Sequence, residues 1–427
     1  MDKFFIKSSI DEINMLQDIS NTTIKNVLSK HNAFTKSNKI EYEFSKIVDD
    51  VISNNINNKQ INRFLNKKYK GEKVSDFINI EKNKKTKEYQ IIMKKYDEIF
   101  DLDKGLSSFD KLDYQLHLAT TTPIISIITL YENFVRKLIT TDCLEGNSDL
   151  ILNESISLGQ LLKLEYDKES VESFLINDYC NSKLFGDKKR INSIIATLSI
   201  DCHDCESLIE DFEELYFRRN MYVHGIKNLT KDYLSLPERI IKEWVKDNRL
   251  SNTPTYYTHA FRTLKKIILM ILIKKCLYKK QDKDNLNTIQ EIIFEEFYSK
   301  KQYDVACFAY KQLKNLKWIT DTQRYFYFVN YMVCLKNLKS NKLDEELSKW
   351  NTSTDAPIFK LAKRLIQNDY QNINNVIISI LKTDSEYEEL DEEETDFYLI
   401  KSYIDDWPLF KDYKSTPEYS ELLKNIK

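Results

Sequence analysis

The stretch Leu215-Tyr216-Phe217-Arg218-Arg219-Asn220-Met221-Tyr222-Val223-His224-Gly225 decides how the rest of the chain is read. With Leu208, Ile209 and Phe212 before it, its apolar residues predict an amphipathic helix over Ser207 to Val223. Glycine suits the position just past a helix end, so Gly225 closes the helix and His224 falls in its last turn. Each helical residue turns by about 100°, which puts Asn220 and His224, four apart, on one face. Arg219 stands roughly 140° around the axis from His224, so only its long side chain can reach the imidazole. Histidine exchanges protons near neutral pH, and the helix dipole favours a cation at this end. Arginine grips phosphate bidentately. The set is therefore a toolkit for RNA transesterification. His224 would move a proton at the 2′-hydroxyl or the leaving 5′-oxygen, Arg219 would carry the phosphate charge, and Asn220 would orient the phosphate or His224.

Outward from this stretch, the composition is that of a helical protein. The chain has 427 residues, room for about three domains, but only six Gly and six Pro. Strands and hairpins need more turn residues than that, which predicts an all-α protein. A 42% hydrophobic fraction is enough for packed cores. The net charge of −2 excludes a globally basic nucleic-acid binder and makes any RNA contact local. Met1-Asp2-Lys3-Phe4-Phe5-Ile6-Lys7 lacks the apolar run of a signal peptide. The longest apolar run, Ile267 to Ile273, is seven residues between lysine pairs. That is far short of the about 20 needed to span a bilayer, and it reads as a buried helix. The seven scattered cysteines predict reduced thiols in a cytoplasmic protein, with no membrane association.

Residues 1–110 read as an N-terminal helical region with three helical patterns. Ile10, Ile13, Leu16 and Ile19 form one stripe, Tyr42 to Phe64 a second, and Phe77 to Phe100, with Ile91, Ile92 and Tyr96, a third. Asn54 to Asn58 is asparagine-rich, and Lys67-Lys68-Tyr69-Lys70 and Lys82 to Lys87 are basic. These stretches are solvated faces or a surface for RNA phosphates. Residues 111–282 form a second unit. Its early helix, Ile124 to Ile139, carries Ile127, Leu130, Tyr131, Phe134, Val135 and Leu138, with Pro123 in the first turn. A connection through Leu158 to Leu162 and a short helix near Asn192 to Leu198 lead to the motif helix. A loop from Ile226 to Leu234 and a closing helix from Thr258 to Leu277 follow.

Residues 283–427 read as paired short helices: Tyr303 to Leu313, Arg324 to Leu338, Ile358 to Ile366, Ile373 to Leu381 and Phe397 to Ile404. The small-then-aromatic spacing of Tyr303 to Leu313, and the end Trp407-Pro408-Leu409-Phe410 before Pro417 to Leu423, resemble a tetratricopeptide-like α-solenoid. Such arrays bind a protein partner on a concave face; the alternative is a simple packing domain. The acidic run Glu386 to Glu394 is a solvated loop, a docking surface for a basic partner, or an internal RNA mimic.

Arg219-Asn220-x-x-x-His224 resembles the signature of HEPN domains, and the helix order over residues 113 to 277 is similar to a HEPN bundle. The resemblance implies a metal-independent endoribonuclease, with no cofactor, that cuts single-stranded RNA and leaves a 2′,3′-cyclic phosphate. It implies two motifs meeting in one cleft, hence a homodimer, and a role as a toxin or anti-phage defence effector. Arg219, Asn220 and His224 match the family's catalytic set, and Tyr233 resembles a tyrosine often found after it. Arg218, Tyr222, Lys227 and Glu132 are candidate supporting residues. Glu132 either supports the arginine or is an ordinary paired or exposed carboxylate. Two other readings stay open. In one, an arginine packs on a carboxylate such as Glu214 and His224 merely caps the helix. In the other, the bundle is an inactive scaffold for RNA, a nucleotide or a protein. Cys202-His203-Asp204-Cys205 has no second pair at zinc-finger spacing and reads as ordinary thiols, so no metal is expected. His31, His117 and His259 read as structural.

Overall fold

The computed structural model describes residues 3–37, 78–82, 89–93, 99–144, 151, 154–185, 191–226, 228–246, 249–278, 283–351, 356–385 and 401–425. Among them helices dominate and the only strands form two short antiparallel ladders, so the all-α class holds. The expected helix Tyr42 to Phe64, the Asn54 to Asn58 and Lys67 to Lys70 stretches, Asn83 to Lys87, Lys227 and the acidic run Glu386 to Glu394 lie outside the described residues.

Two compact units are present: Met15–Ser126 with Asn252–Tyr257, and Met1–Asn14, Ile127–Ser251 and Thr258–Lys427. Helices α1 (Lys3–Ser37) and α2 (Ile99–Leu144) contribute residues to both. The N-terminal stripe is corrected in detail. Ile6, Ile10, Ile13 and Ile24 are buried, whereas Ile19 is 58% exposed. Apolar residues every third position drift by about 60° per step, so Ile19 ends opposite Ile10.

In the smaller unit, where a helix from Phe77 to Phe100 is expected, the described residues from 78 to 93 form two paired strands. β1 (Ile78–Lys82) pairs antiparallel with β2 (Tyr89–Met93), Ile80 opposite Ile91. Ile78-Asn79-Ile80-Glu81 alternates with a period of two, the signature of a strand, and Tyr89, Ile91 and Ile92 add β-forming side chains. Pro123 is likewise not in a first turn but deep inside α2. Proline breaks one backbone bond and crowds the preceding turn. Here Thr120 and Thr121 bond back to the Leu116 and His117 carbonyls, and the Tyr257 hydroxyl donates to the Thr120 carbonyl at 2.8 Å. His31 meets Asp113 at 2.8 Å.

In the larger unit, α2 supplies buried Ile127, Tyr131, Phe134, Val135, Leu138 and Ile139. α3 (Leu158–Lys163), α4 (Lys168–Tyr179) with its π-turn Cys180–Leu184, and α5 (Ile191–Thr197) lead to the motif helix α6 (Glu206–Val223). The expected loop after Gly225 contains the turn α7 (Lys231–Leu234), because the Thr230 hydroxyl accepts the Tyr233 amide as an N-cap. Next come α8 (Glu238–Trp244), the ladder of β3 (Val245–Lys246) with β4 (Arg249–Leu250), and α9 (Pro254–Tyr278). Every residue from Ile267 to Ile273 is buried, so this stretch is apolar all round because it is enclosed. Lys275 pairs with Asp142, and Lys274 with Asp204 at 2.7 Å. No described helix is long and apolar enough to cross a membrane.

The expected helices over residues 303–313, 324–338, 358–366 and 373–381 are present, and Lys283–Ile292 and Lys342–Lys349, which the pattern does not mark, join them. α10 (Lys283–Ile292) runs into a π-turn, Ile293–Tyr298. Then come α11 (Tyr303–Leu313), α12 (Asp321–Asn337), α13 (Lys342–Lys349), α14 (Pro357–Ile366), α15 (Ile373–Ser385), α16 (Lys401–Asp406) and α17 (Pro417–Asn425). α11 packs on α12, α12 on α14, α14 on α15 and α15 on α17. The buried Trp407 indole donates to Asn330 Oδ1 at 2.7 Å, pinning the segment before α17 to α12.

Candidate functional site

The motif helix ends as its sequence dictates. His224 is the C-cap residue and Gly225 adopts φ +62. The Ile226 amide bonds the Met221 carbonyl at 2.8 Å and the Gly225 amide the Tyr222 carbonyl at 3.2 Å, the paired bonds of a Schellman termination. A Cβ on Gly225 would meet nothing within 4 Å, so glycine is required there by its backbone angle, not by space.

The two adjacent arginines point to different worlds. Arg218 is wholly buried: Nε donates to Glu214 Oε1 at 2.8 Å, Nη1 to the Ser251 carbonyl at 2.8 Å, and Nη2 to the Tyr233 hydroxyl at 3.3 Å. Tyr233 in turn donates to Glu214 Oε1 at 2.6 Å. Burial and the Glu214 charge push the Tyr233 phenol up, so it stays a donor. Arg218 and Tyr233 thus lock the motif helix to the segments behind it. Glu214 holds an arginine, as one reading foresaw, but that arginine is Arg218 and Arg219 is left available.

Arg219 is half-buried on the next face. Its Nη1 donates to Asn220 Oδ1 at 3.0 Å, while its Nε is buried with no acceptor. Across from it on α2, half-buried Glu132 feels the Arg219 charge. Burial raises the Glu132 carboxyl above its ordinary value. The Arg219 and Arg136 cations and a hydrogen bond from the Tyr216 hydroxyl oppose the rise without cancelling it. Tyr131, Phe212 and Tyr216 pack edge-to-face behind this cluster, Tyr131 to Phe212 at 4.5 Å. The Tyr131 hydroxyl is a second buried donor without an acceptor. Buried unpaired donors are costly.

His224 is exposed at the helix terminus, and Tyr222 is half-buried in the final turn. Arg219, Asn220 and Glu132 are therefore gathered into one cluster, and the exposed His224 follows Asn220 by one helical turn, its amide on the Asn220 carbonyl. Tyr216 was legible only as part of the apolar stripe. Its position three residues before Arg219, on the side facing α2, was the available clue. Arg136, held by Asn177 at 2.7 Å, had no such signal.

Cys202 lies 3.9 Å from Met270 Sδ, and the buried Cys205 receives the Gln312 amide at 3.6 Å. Burial pushes their thiols up to about 11 and about 12. Among the described residues no group of three or more His, Cys, Asp or Glu side chains is placed to hold a metal ion. His259 lies tilted against the Trp244 ring at 5.0 Å and 3.9 Å from Asp211, at a partly exposed position.

Compared with protein-family models, curated proteins and solved structures, the chain gives no match.

Proposed function

We infer that this protein is a metal-independent endoribonuclease of the HEPN type, acting on single-stranded RNA. One observation carries the reading: Asn220 pins Arg219 Nη1 and Glu132 lies within its charge, on a helix that ends at His224 and Gly225. A phosphate oxygen is the acceptor that completes such a guanidinium. His224 takes the 2′-hydroxyl proton, O2′ attacks phosphorus, and the P–O5′ bond breaks. The 5′-oxygen then leaves with a proton, and the product keeps a 2′,3′-cyclic phosphate. Arg219 neutralises charge on the phosphoryl oxygens as it builds, and Glu132 with Tyr216 holds the guanidinium in place. Since the chain offers one Arg-Asn-His set, acid and base come from two copies of the motif in a homodimer. Val223, Ile226 and Leu234, exposed by 48%, 41% and 51% around the motif end, suit such an interface.

In this reading residues 111–282 form the HEPN-like domain and residues 283–427 a tetratricopeptide-like array that docks a protein partner. The enzyme works in the cytoplasm as a toxin or defence effector. The test is incubation of purified protein with single-stranded RNA in EDTA. Wild type cuts, while His224→Ala loses about 10²-fold or more of the rate, and Arg219→Ala a similar factor. Equal cutting by His224→Ala, or intact RNA with wild type, overturns the assignment. Light scattering tests the dimer.

A further inference from the structure

Where α9 passes the start of the motif helix, it brings a thioether to a pair of thiols. Cys202 and Cys205 flank the 3-10 turn His203–Cys205, in which the Cys205 amide bonds the Cys202 carbonyl at 2.8 Å. Side chains three apart eclipse in such a turn, so both thiols share one side of it. On α9, Met270 Sδ lies 3.9 Å from Cys202 Sγ. Lys274, one turn further on, puts its charge beside both thiols and pairs with Asp204 at 2.7 Å. Cys205 and Met270 are 2% and 0% exposed, whereas Cys202 is half-buried, so the group is closed on the core side and reached past Cys202.

The donors select the guest. Three sulfurs about 2.3 Å from one metal ion in a plane stand about 4.0 Å apart, and the Cys202–Met270 separation of 3.9 Å matches that. Zinc asks for four nitrogen, thiolate or oxygen ligands, and among the described residues no third His, Cys, Asp or Glu joins the pair as a ligand. Copper(I) is satisfied by soft sulfur donors, a thioether included. Two thiolates with copper(I) carry one net negative charge. The Lys274 ammonium and the N-terminal dipole of α6, capped by Cys205, favour that charge, while Asp201 and Asp204 oppose it. The Cys-x-x-Cys spacing alone hides this group, because its third donor is a methionine on a distant helix.

We propose that Cys202, Cys205 and Met270 bind one copper(I) ion as a three-sulfur site. Both thiol protons pass to solvent, two copper–thiolate bonds and one copper–thioether bond form, and the copper stays monovalent. α6 is 18 residues long, so about 27 Å of helix separates this site from His224, and copper binding does not depend on RNA cleavage. The experiment is anaerobic titration of the reduced full chain with copper(I) against the chelator bicinchoninate, with X-ray absorption at the copper edge. Wild type binds copper(I) with three sulfur neighbours at about 2.3 Å. Cys202→Ser weakens binding at least about a hundredfold, and Met270→Leu, of similar volume, weakens it about tenfold and leaves two sulfurs on the copper. Arg219→Ala binds as wild type. Circular dichroism checks that Met270→Leu is folded; if it is not, Cys202→Ser, at the half-buried position, decides. No copper(I) held against the chelator, wild-type affinity in Cys202→Ser, three sulfurs remaining in Met270→Leu, or zinc bound as tightly as copper(I) overturns the proposal.

Discussion

Replacing Glu214 by alanine tests what holds the motif helix in place. Its carboxylate is 2% exposed and lies 2.8 Å from Arg218 Nε, which is 0% exposed. Removing one partner of a buried pair leaves a charge without compensation and costs about 3–5 kcal/mol. Arg218 keeps the Ser251 carbonyl at 2.8 Å and the Tyr233 hydroxyl at 3.3 Å, so the loss falls near the lower end, about 3 kcal/mol. With a urea m-value near 3 kcal/mol/M, the unfolding midpoint drops by about 1 M, read by far-ultraviolet circular dichroism. Tyr233→Phe removes a 2.6 Å bond to the same carboxylate and costs about 1.5–3 kcal/mol. Glu214→Leu with Arg218→Met removes both charges but also strips the Tyr233 hydroxyl and the Ser251 carbonyl of these partners, so it recovers only part of the loss. A Glu214→Ala midpoint within about 0.3 M of wild type would refute the view that this pair anchors the helix.

Other consequences are more local. Gly225→Ala costs about 1 kcal/mol from its left-handed backbone alone, and Gly225→Asn costs less, measured by thermal melting. The Glu132 carboxyl is raised above its ordinary 4.5, so its contribution to stability is full below that value and is lost as pH rises through the folded one. Glu132→Gln therefore gains stability over wild type more at pH 8 than at pH 5, and a gain confined to acid in urea titrations contradicts this. Thiols react as thiolates, and burial pushes Cys180 and Cys202 up to about 11 and Cys205 to about 12. Native protein at pH 8 leaves these three unalkylated by iodoacetamide, whereas guanidinium exposes them, as peptide mass spectrometry reads.

The helical frame was legible because its signals are periodic and long. Most C-terminal helices from Tyr303 onward and the enclosed run Ile267 to Ile273 follow from pattern alone, while the short, strongly charged α13 did not. Failures came where a short-range rule met a competing one. Ile78 to Met93 has few turn residues, yet its strand alternation outweighs the helical spacing of Ile91, Ile92 and Tyr96. Pro123 reads as a helix start, but α2 continues through it, with the Tyr257 hydroxyl bonding the Thr120 carbonyl in the turn before. At the motif, spacing located Arg219, Asn220 and His224 on one helix end. It could not tell which of two adjacent arginines is sealed, since that depends on Glu214, Tyr233 and Ser251 meeting from three segments.

The most direct measurement is the chemistry of the ends left on single-stranded RNA incubated with the protein in EDTA. Mass spectrometry of the fragments should show 2′,3′-cyclic phosphates and free 5′-hydroxyls with wild type, and intact RNA with His224→Ala. Intact RNA with wild type, fragments bearing 3′-hydroxyls and 5′-phosphates, or cutting that survives His224→Ala would contradict the account.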